Sequence, residues 1–558
     1  MRGIAQPSTG RGLWELCIGL EVHAQILLQT KLFSRSSARL EGDDERPNSR
    51  VGFFDAAFPG TLPMLNAGAV DQAIRTSLAL GCTVHRRSLF ERKHYYYCDL
   101  PHGYQITQQR FPIASSGTLT LLQQPDPDGP KPAAGRKGRR HDSGSSRGSG
   151  SISSAAGPRG ALRALRVSRV QLEMDSGKSF HDQTKGRTLV DLNRAGTALM
   201  EIVFEPDARS SEEAASALRS LQHLLRQVNT CDGNMEDGSM RCDVNVSVRP
   251  AGSTAMGERV EIKNLNSARR LVAAVGAEGD RQIRILEEGR GPVERETRRF
   301  DVAQGRTVRL RGKEAALDYR FMPEPDLPPL LIPEGRVEEL RASLPESAAA
   351  ALSRLVCQYG LSDYYARLLV GSPGEAAAYF EELVGGGQAE QRDAKVAANW
   401  LCNNLFGLLK EEGFWPGAGR GGPGGGGGPG QTLAWGPVPP ARLGGLLDLL
   451  ADGSVSSQAA KQVLEAMVKE DGEASALALV ETKGLRQLTD APTLEAACRA
   501  VVDDAGHAEQ LRQYREKAGK ARLAKFFVGR AMKATRGKAD GKLVEACVLR
   551  LLGPAAGV

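Results

Sequence analysis

The alternation of apolar and polar residues from Met240 to Val248 constrains the fold more than any other feature of this 558-residue chain. Successive side chains of a strand point to opposite faces, so this order gives one apolar face and one polar face. The same alternation recurs at Ile18–Ile26, Val167–Asp175 and Val260–Lys263. We therefore expect these four segments to form strands of a sheet that is buried on one side and polar on the other.

The polar residues of these segments are mostly acids and amides, with one imidazole among them. They include Glu21 and His23 in one segment and Gln171 and Glu173 in another. Gathered on one surface, such side chains can hold a divalent cation and, through it, a phosphate group. Each segment taken alone also fits an ordinary solvated strand face. Taken alone, His23 is more typical of an ordinary structural histidine, but Glu21 lies two residues away on the same strand face, which makes His23 a candidate metal ligand.

Net charge places few limits on the partners of this chain. The formal net charge is +7, and residues 131–166 contribute nine Lys or Arg against one acid, a local charge of +8. The remainder therefore carries about −1 (7 − 8). Whole-chain charge consequently neither requires nor excludes a nucleic-acid partner.

A second basic segment lies near the C-terminus, from Leu511 to Lys542. It holds eleven Lys or Arg against two acids, a local charge of +9. Aromatic residues are interleaved with these cations: Tyr514, Phe526 and Phe527. A solvated helical face and a phosphate-binding surface are both compatible with this pattern.

The cysteine pattern and the hydropathy of the chain narrow its class. Nine cysteines are scattered without a Cys-x-x-Cys pair, which fits neither a disulfide framework nor a zinc knuckle. We therefore expect no structural zinc and a reducing compartment. No apolar run approaches the roughly 20 residues of a membrane helix, so no membrane segment is expected. Residues 1–13 contain Arg2 and Arg11 but no acid, which is compatible with the remnant of an organelle leader.

Length and composition predict roughly three to four domains. The predicted fold class is α+β: a catalytic domain built on an antiparallel sheet, then a helical domain, then a small all-α tail domain. Two stretches rich in Gly, Ser, Pro or Arg lack periodicity, and we expect a disordered insertion and a flexible linker there. The expected boundaries are 1–13 for the leader, 14–335 for the catalytic domain with its insertion at 116–165, 336–412 for the helical domain, 413–432 for the linker and 433–558 for the tail domain.

Eight short motifs stand in the order found in the B subunit of the aspartyl/glutamyl-tRNA amidotransferase, the GatB/GatE family. From about Trp14 to the C-terminus, with two inserts, the chain resembles that family. The motifs are Ile18–His23, Phe58–Asn66, Asp99–Ile106, Asp191–Gly196, Glu201–Asp207, Met235–Asp243, Glu261–Ser267 and Asp318–Asp326. This resemblance implies a cradle-like catalytic domain and a tail domain that grips the elbow of a tRNA.

The resemblance also implies a reaction and its cofactors. The family phosphorylates the side-chain carboxylate of a misacylated tRNA with ATP and Mg²⁺, after which ammonia displaces the phosphate. A Walker-type phosphate loop is absent from the sequence, so carboxylates on the sheet are left to carry the metal. By resemblance, the catalytic and metal-binding residues are Glu21, His23, Glu173 and Glu201, with Glu236 and Asp243 as further metal-site candidates. The cations expected at the phosphate or at the tRNA 3′ end are Arg194, Arg241 and Lys263, although structural ion pairs explain these three equally well.

Two local departures bear on the site. The family has paired acids where this chain has Glu173 followed by Met174. Alternation sends Met174 to the opposite face from Glu173, so the missing acid concerns packing or the surroundings of the site and not a direct metal ligand. Tyr95, Tyr96 and Tyr97 cannot share one environment on a strand, so we expect at least one in the core. The others are candidates for stacking on the terminal adenosine of a tRNA.

The resemblance implies one component of a ligase that converts Glu-tRNA(Gln) to Gln-tRNA(Gln), with Asp-tRNA(Asn) left open as a second substrate. An amidase Ser-Ser-Lys arrangement outside low-complexity sequence is missing, so glutamine hydrolysis is assigned to an A subunit. A small C subunit is expected to brace the resulting heterotrimer. The expected location is the mitochondrion and/or the chloroplast. Two alternatives remain: an archaeal E-type subunit, disfavoured because no room exists for its inserted domain, and a catalytically inactive tRNA-binding scaffold.

Overall fold

The computed structural model describes most of the chain. The described residues are 13–38, 46–122, 163–311, 318–372, 376–386, 391–414, 438–470, 472, 474–487, 490–516, 520–535, 539 and 541–553. They form two compact units, Met1–Ala350 and Ala351–Val558. Among the described helices, none combines the length and the apolar character needed to cross a bilayer.

The first unit contains all the strands of the described residues. In chain order they are β1 (Trp14–Gln25), β2 (Thr83–Val84), β3 (Arg87–Ser88), β4 (Glu91–His94), β5 (Tyr104–Thr107), β6 (Ala114–Thr120), β7 (Ala164–Met174), β8 (Lys178–Asp182), β9 (Arg187–Asp191), β10 (Ala198–Phe204), β11 (Met240–Pro250), β12 (Val260–Leu265), β13 (Thr297–Asp301), β14 (Arg306–Arg311), β15 (Met322–Pro323) and β16 (Leu330–Leu331). All four segments that alternate in the sequence are strands, as predicted.

Nine of these strands form one sheet in the order β14-β13-β12-β11-β1-β10-β7-β6-β2. Every neighbouring pair is antiparallel except β12 and β13, which run parallel. Three small sheets accompany it, with strand orders β15-β4-β5, β16-β3 and β8-β9. The α+β class and the antiparallel sheet are therefore confirmed.

Four helices belong mainly to this unit: α1 (Ala67–Ala79), α2 (Ser211–Gln227), α3 (Ala268–Glu287) and α4 (Glu334–Ala342). The side chain of Ser210 accepts a hydrogen bond from the backbone of Glu213 and so caps α2, the helix that the sequence indicates most clearly. Helices α1, α2 and α3 contact the sheet. The apolar face of β1, from Ile18 to Ile26, lies in the resulting core, where every alternate residue is at most 2% exposed.

The ends of the predicted insertion belong to the sheet. Strand β6 continues to Thr120 and pairs with β7 from Ala164 onward, because Thr120 lies opposite Ala164 and Leu121 donates a hydrogen bond to the Arg163 carbonyl over 2.8 Å. The predicted limits of 116 and 165 were thus too wide on both sides. Residues 123–162 lie outside the described residues, as do the leader at 1–12 and most of the linker, 415–437.

We expect the segment between Leu122 and Arg163 to be dispensable for folding. Its two ends are already neighbours in the sheet, so a short Gly-Ser turn can close the same hairpin with little change in loop entropy. A variant with such a turn should keep its melting temperature within a few degrees in a thermal unfolding scan. A cooperative transition lost or lowered by tens of degrees would show that the segment contributes to the core.

The second unit is helical in its described residues. After α5 (Ala348–Tyr359), which spans the division between the units, it contains α6 (Asp363–Gly371), α7 (Ala376–Gly385), α8 (Ala394–Trp400), a π-helical turn (Leu401–Leu405), α9 (Phe406–Glu411), α10 (Pro440–Ala451), α11 (Ser457–Lys469), α12 (Ala476–Thr482), α13 (Ala491–Val502), a 3₁₀ turn (Ala505–His507), α14 (Ala508–Glu516), α15 (Lys520–Ala534) and α16 (Gly541–Leu552).

Helix packing moves the expected domain boundaries. Helix α10 follows the linker, yet it packs on α7, and Arg392 forms an ion pair with Asp448 at 2.7 Å. Helices α10 to α12 therefore belong with the preceding helices. Helices α13 to α16 share a separate apolar cluster that includes Phe527 and Val548. The tail module consequently begins near residue 490, about 60 residues after the predicted boundary at 433.

Candidate metal and phosphate site

The polar face of the large sheet carries a row of functional side chains at right angles to the strands. His23 on β1 lies opposite Glu201 on β10, and Glu201 lies opposite Gln171 on β7. On the other side of β1, His23 lies opposite Arg241 on β11. Neighbouring strands lie about 4.8 Å apart, so register alone brings these side chains within reach of one another. The alternating pattern thus determines which residues share this face.

Three of the predicted ligands converge. One ligand atom each from His23, Glu173 and Glu201 lies within 4.8 Å of the other two. Glu21 adjoins the group, with 3.7 Å between its Oε1 and the Nε2 atom of His23. Glu173 and Glu201 are only 3% and 4% exposed. Two buried carboxylates and an imidazole at this spacing can act as protein ligands of one divalent cation.

Lys93 on β4 supplies a positive charge beside these acids. Its Nζ atom lies 3.9 Å from Oε2 of Glu173. The negative charge of Glu173 raises the pKa of Lys93 above its usual value and outweighs the opposing effect of burial. Lys93 therefore stays protonated and offsets part of the negative charge of the site.

The two carboxyl groups differ in their affinity for a proton. Burial raises the pKa of Glu201 well above its usual range, and the charges of Glu173 and Glu21 raise it further. Burial also acts to raise the pKa of Glu173, but the charges of Lys93 and His23, together with hydrogen bonds to the carboxylate, outweigh it and lower that pKa. Glu201 therefore binds a proton more readily than Glu173, as expected when like charges share a buried site.

Amide side chains fix the orientation of both acids. Gln171 donates a hydrogen bond to Glu201 over 2.8 Å, and Gln105 on β5 donates one to Glu173. The Tyr95 hydroxyl donates to the Gln105 carbonyl oxygen over 3.0 Å. The Oε2 atom of Glu173 is nevertheless buried without a hydrogen-bond partner. An unsatisfied buried carboxylate oxygen near an imidazole and a second carboxyl group fits a site that accepts a cation.

The three predicted phosphate-binding cations all make ion pairs. Arg241 and Arg194 approach Asp175 at 2.6 Å and 3.3 Å, and Arg194 also donates two hydrogen bonds to backbone carbonyls. Lys263 lies 2.8 Å from Asp243 and 3.0 Å from Glu261. These contacts match the structural alternative, because each cation already has an acid to neutralise it.

The remaining metal-site candidates stay outside the cluster of His23, Glu173 and Glu201. Asp243 lies opposite Glu21 in the sheet but is engaged by Lys263. Glu236 lies in an exposed turn before β11. Neither acid is among the converging ligand atoms. As predicted, Met174 turns away from Glu173 and is buried in the core.

Sequence reasoning missed Lys93 and Gln105. Their short strands, β4 and β5, lie outside the large sheet and contact it through β7. The only sequence signal is that Gln105 lies within the motif Asp99–Ile106; Lys93 lies directly opposite it in the hairpin of β4 and β5. Periodicity does not show where a four-residue strand packs in the fold, so the positions of Lys93 and Gln105 are known only from the structure.

The tail module presents a cationic surface of its own. Helix α15 contains no acid, and the exposed basic residues among its described side chains are Arg522, Lys525, Arg530 and Lys533. Tyr514 and Phe527 are buried, so they pack in the core and are not available for stacking on a base. Phe526 is covered in part by Arg530, whose guanidinium carbon lies 5.3 Å from the ring centre. The exposed basic face fits phosphate contacts, whereas the interleaved aromatic residues have a structural role.

Comparison with known proteins agrees with this layout. Residues 16–338 match the GatB/GatE catalytic domain, and residues 378–552 match the GatB domain. The chain is 44% identical over 575 residues to the B subunit of the mitochondrial glutamyl-tRNA(Gln) amidotransferase of Phytophthora infestans, covering 97% of this chain and 95% of the relative. It is 45% identical over 527 residues to the B subunit of the aspartyl/glutamyl-tRNA(Asn/Gln) amidotransferase of Rhodospirillum rubrum, covering 94% and 95%.

Proposed function

This chain belongs to the GatB/GatE family, and from that premise we propose that it is the subunit of a glutamyl-tRNA(Gln) amidotransferase in which the misacylated side chain is activated. The product is an amidated aminoacyl-tRNA, which makes the enzyme a glutamine-dependent carbon–nitrogen ligase. Asp-tRNA(Asn) is a second substrate class open to it, since relatives are named for both. The observation that carries the proposal is the convergence of His23, Glu173 and Glu201 on the polar face of the sheet.

Amidation of a carboxylate requires a better leaving group than oxide. Phosphorylation by ATP provides one, and ammonia then attacks the acyl carbon and displaces phosphate. A bound Mg²⁺ supplies charge stabilisation to the transferred phosphoryl group. On this chain, Glu173, Glu201 and His23 are the residues that would hold it. Lys93 adds a fixed positive charge beside them, where phosphate charge needs to be neutralised.

Burial of the site explains why its electrostatics can be strong. Glu173 and Glu201 are almost fully buried, and Gln105 and Gln171 hold them in place. Charges act over a few ångströms in such surroundings with little screening by water. A cation at this site would favour the charged form of Glu201, so that two carboxylates would neutralise the metal.

The release of ammonia from glutamine is assigned to a partner subunit. The sequence contains no amidase Ser-Ser-Lys arrangement outside low-complexity segments. Burial raises the pKa of the thiols of Cys82, Cys231 and Cys402 to about 12, so these cysteines stay protonated and are poor nucleophiles. We assign glutamine hydrolysis to an A subunit and the bracing of a heterotrimer to a C subunit. Location in the mitochondrion and/or the chloroplast is part of this proposal, supported by the mitochondrial relative.

The competing scaffold function is not favoured. A protein that only binds tRNA has no use for two adjacent buried acids, which cost free energy to keep in the fold. The test is to assemble the complex with Glu-tRNA(Gln), ATP and Mg²⁺, with ammonium chloride in place of glutamine. The proposal requires ATP-dependent formation of Gln-tRNA(Gln). Tight tRNA binding without ATP hydrolysis or product would support the scaffold instead.

Removal of the tail module should weaken tRNA binding without impairing the chemical step. Truncation after Gln487 deletes the exposed basic face of α15 and leaves α10 to α12 packed on the preceding helices. We expect a higher KM for Glu-tRNA, an unchanged kcat, and a shallower dependence of log Kd on log salt, because fewer counterions are released. An unaltered KM for tRNA, measured from low to physiological salt, would show that this face is only solvated surface.

A further inference from the structure

Two exposed tyrosines lie at the edge of the candidate site. Tyr95 is the first residue after β4 and packs against the core, as expected for one of the three tyrosines, whereas the following Tyr96 and Tyr97 are 83% and 57% exposed. Lys93, in the site, lies on β4 three residues before Tyr96. The chain therefore passes from the site to an exposed aromatic turn within four residues.

A continuous series of contacts joins Tyr97 to the buried acids. Its ring centre lies 5.6 Å from that of Tyr95, with the two planes at 68°. Tyr95 donates its hydroxyl to Gln105, which in turn donates to Glu173. Lys93 lies 5.3 Å from the ring centre of Tyr319, which is itself 6.1 Å from that of Tyr95. One side of the site is therefore an aromatic wall that extends to the surface.

The turn is held rigidly enough to serve as a platform. Tyr95 donates its backbone N–H to the Gly103 carbonyl, Leu100 donates to the Tyr97 carbonyl, and Gly177 donates to the Asp99 carbonyl, at 2.8 to 3.1 Å. The Tyr96 ring lies directly over Gly103, where an added Cβ would approach its ring carbons to 3.1 Å. The backbone of the turn is thus held in place, the Tyr96 ring rests against Gly103 and the Tyr97 ring against Tyr95, and most of both ring surfaces stays open.

We propose that Tyr96 and Tyr97 form a stacking platform for an adenine base that is brought to the site. The proposal rests on the proposed function, which places two adenosines near the carboxylates: that of ATP and the 3′-terminal adenosine that carries the glutamyl group. Tyrosine rings stack on bases without sequence specificity. The positive charge of the neighbouring Lys93 complements the phosphates, or lies near the ribose, of the nucleotide whose base is stacked. An exposed aromatic pair also fits a protein interface, but nothing in this turn offers the continuous apolar surface that such a contact buries.

The experiment uses the assembled complex with Tyr96→Ala/Tyr97→Ala, and Tyr96→Phe/Tyr97→Phe as the matched control that keeps both rings. Two fluorescent probes separate the sources of adenine: a tRNA whose terminal base is 2-aminopurine, and 2-aminopurine riboside triphosphate. We expect one probe to be quenched by the wild type and by the phenylalanine control, but not by the alanine variant. The KM for the corresponding substrate should rise about 5- to 150-fold with kcat unchanged.

Each outcome either identifies the source of the adenine base or rejects the proposal. Loss of quenching with the tRNA probe assigns the platform to the terminal adenosine, and loss with the triphosphate probe assigns it to ATP. Equal quenching by wild type and alanine variant, or dissociation of the partner subunits from the alanine variant during gel filtration, would overturn the proposal. Quenching needs no turnover, so this result is separate from the test of the proposed function, which depends on amidation by the wild type.

Discussion

Changing Glu173 or Glu201 to glutamine is expected to lower ATP-dependent phosphorylation of Glu-tRNA by roughly two orders of magnitude or more. Glutamine keeps the shape and most hydrogen bonds of each side chain but removes the charge that holds a cation. The cluster has only three converging ligands, so little remains to compensate. Initial rates of phosphate transfer from ATP, measured with saturating Glu-tRNA, check this prediction.

Two controls make that result specific to the cluster. Glu236→Gln removes an exposed acid outside it and should leave the rate within about twofold, as is usual for surface changes. Release of ammonia from glutamine by the assembled complex should persist in all three variants, because its nucleophile is assigned to another chain. If phosphorylation were equally fast in Glu173→Gln and Glu236→Gln, the acids of the cluster would be an ordinary polar strand face.

Changing Lys31 to methionine should produce a large loss of stability in the first unit. Lys31 and Asp55 form an ion pair at 3.0 Å with both side chains fully buried. Burial lowers the pKa of Lys31, which the charge of Asp55 opposes. Removing the amine leaves a buried carboxylate without its cation, which costs about 3–5 kcal/mol. We expect the melting temperature to fall by roughly 6–20 °C.

A double variant separates the lost pair from lost packing. Lys31→Met/Asp55→Asn removes both charges while the amide oxygen can still accept from Ser34 and Gly52, so most of the stability should return. Arg290→Met breaks an exposed pair with Glu288 and should cost less than about 1 kcal/mol. A double variant no more stable than Lys31→Met alone would mean that the methylene packing of Lys31, and not the charge, is what matters.

Much of the fold follows from the sequence because alternation fixes the register of a half-buried sheet. Shifting β1 by one residue would turn Ile18 and Val22 to the polar side and Glu21 into the core, so the observed pairing is the one the pattern permits. The ends of the modules are less predictable. Helix α10 follows a glycine-rich linker, yet its ion pair between Asp448 and Arg392 joins it to the helices before that linker. Composition shows where a chain lacks periodicity, but not which helices pack across the gap.

Only part of the candidate site could be predicted from the sequence. His23 and Glu173 lie on alternating strands, so their place on the polar face follows from the sequence. Glu201 lies on β10, a mostly apolar strand without alternation, and was expected at the site only from the family resemblance. Lys93 and Gln105 reach the site from a hairpin of two four-residue strands, whose position depends on tertiary packing. The sequence also could not decide whether Arg241 and Lys263 bind phosphate or form structural ion pairs. The structure shows that each is neutralised by an acid that neighbouring strands bring close.

The central claim is that His23, Glu173 and Glu201 hold the divalent cation that serves carboxylate activation. Crystals of the assembled complex soaked in Mn²⁺, which substitutes for Mg²⁺ at oxygen-rich sites, allow the ion to be located by its anomalous scattering. We predict a peak bound by both carboxylates and the imidazole, and the loss of that peak in Glu201→Gln. An active complex in which manganese occupies another place and leaves these three side chains empty would contradict the account.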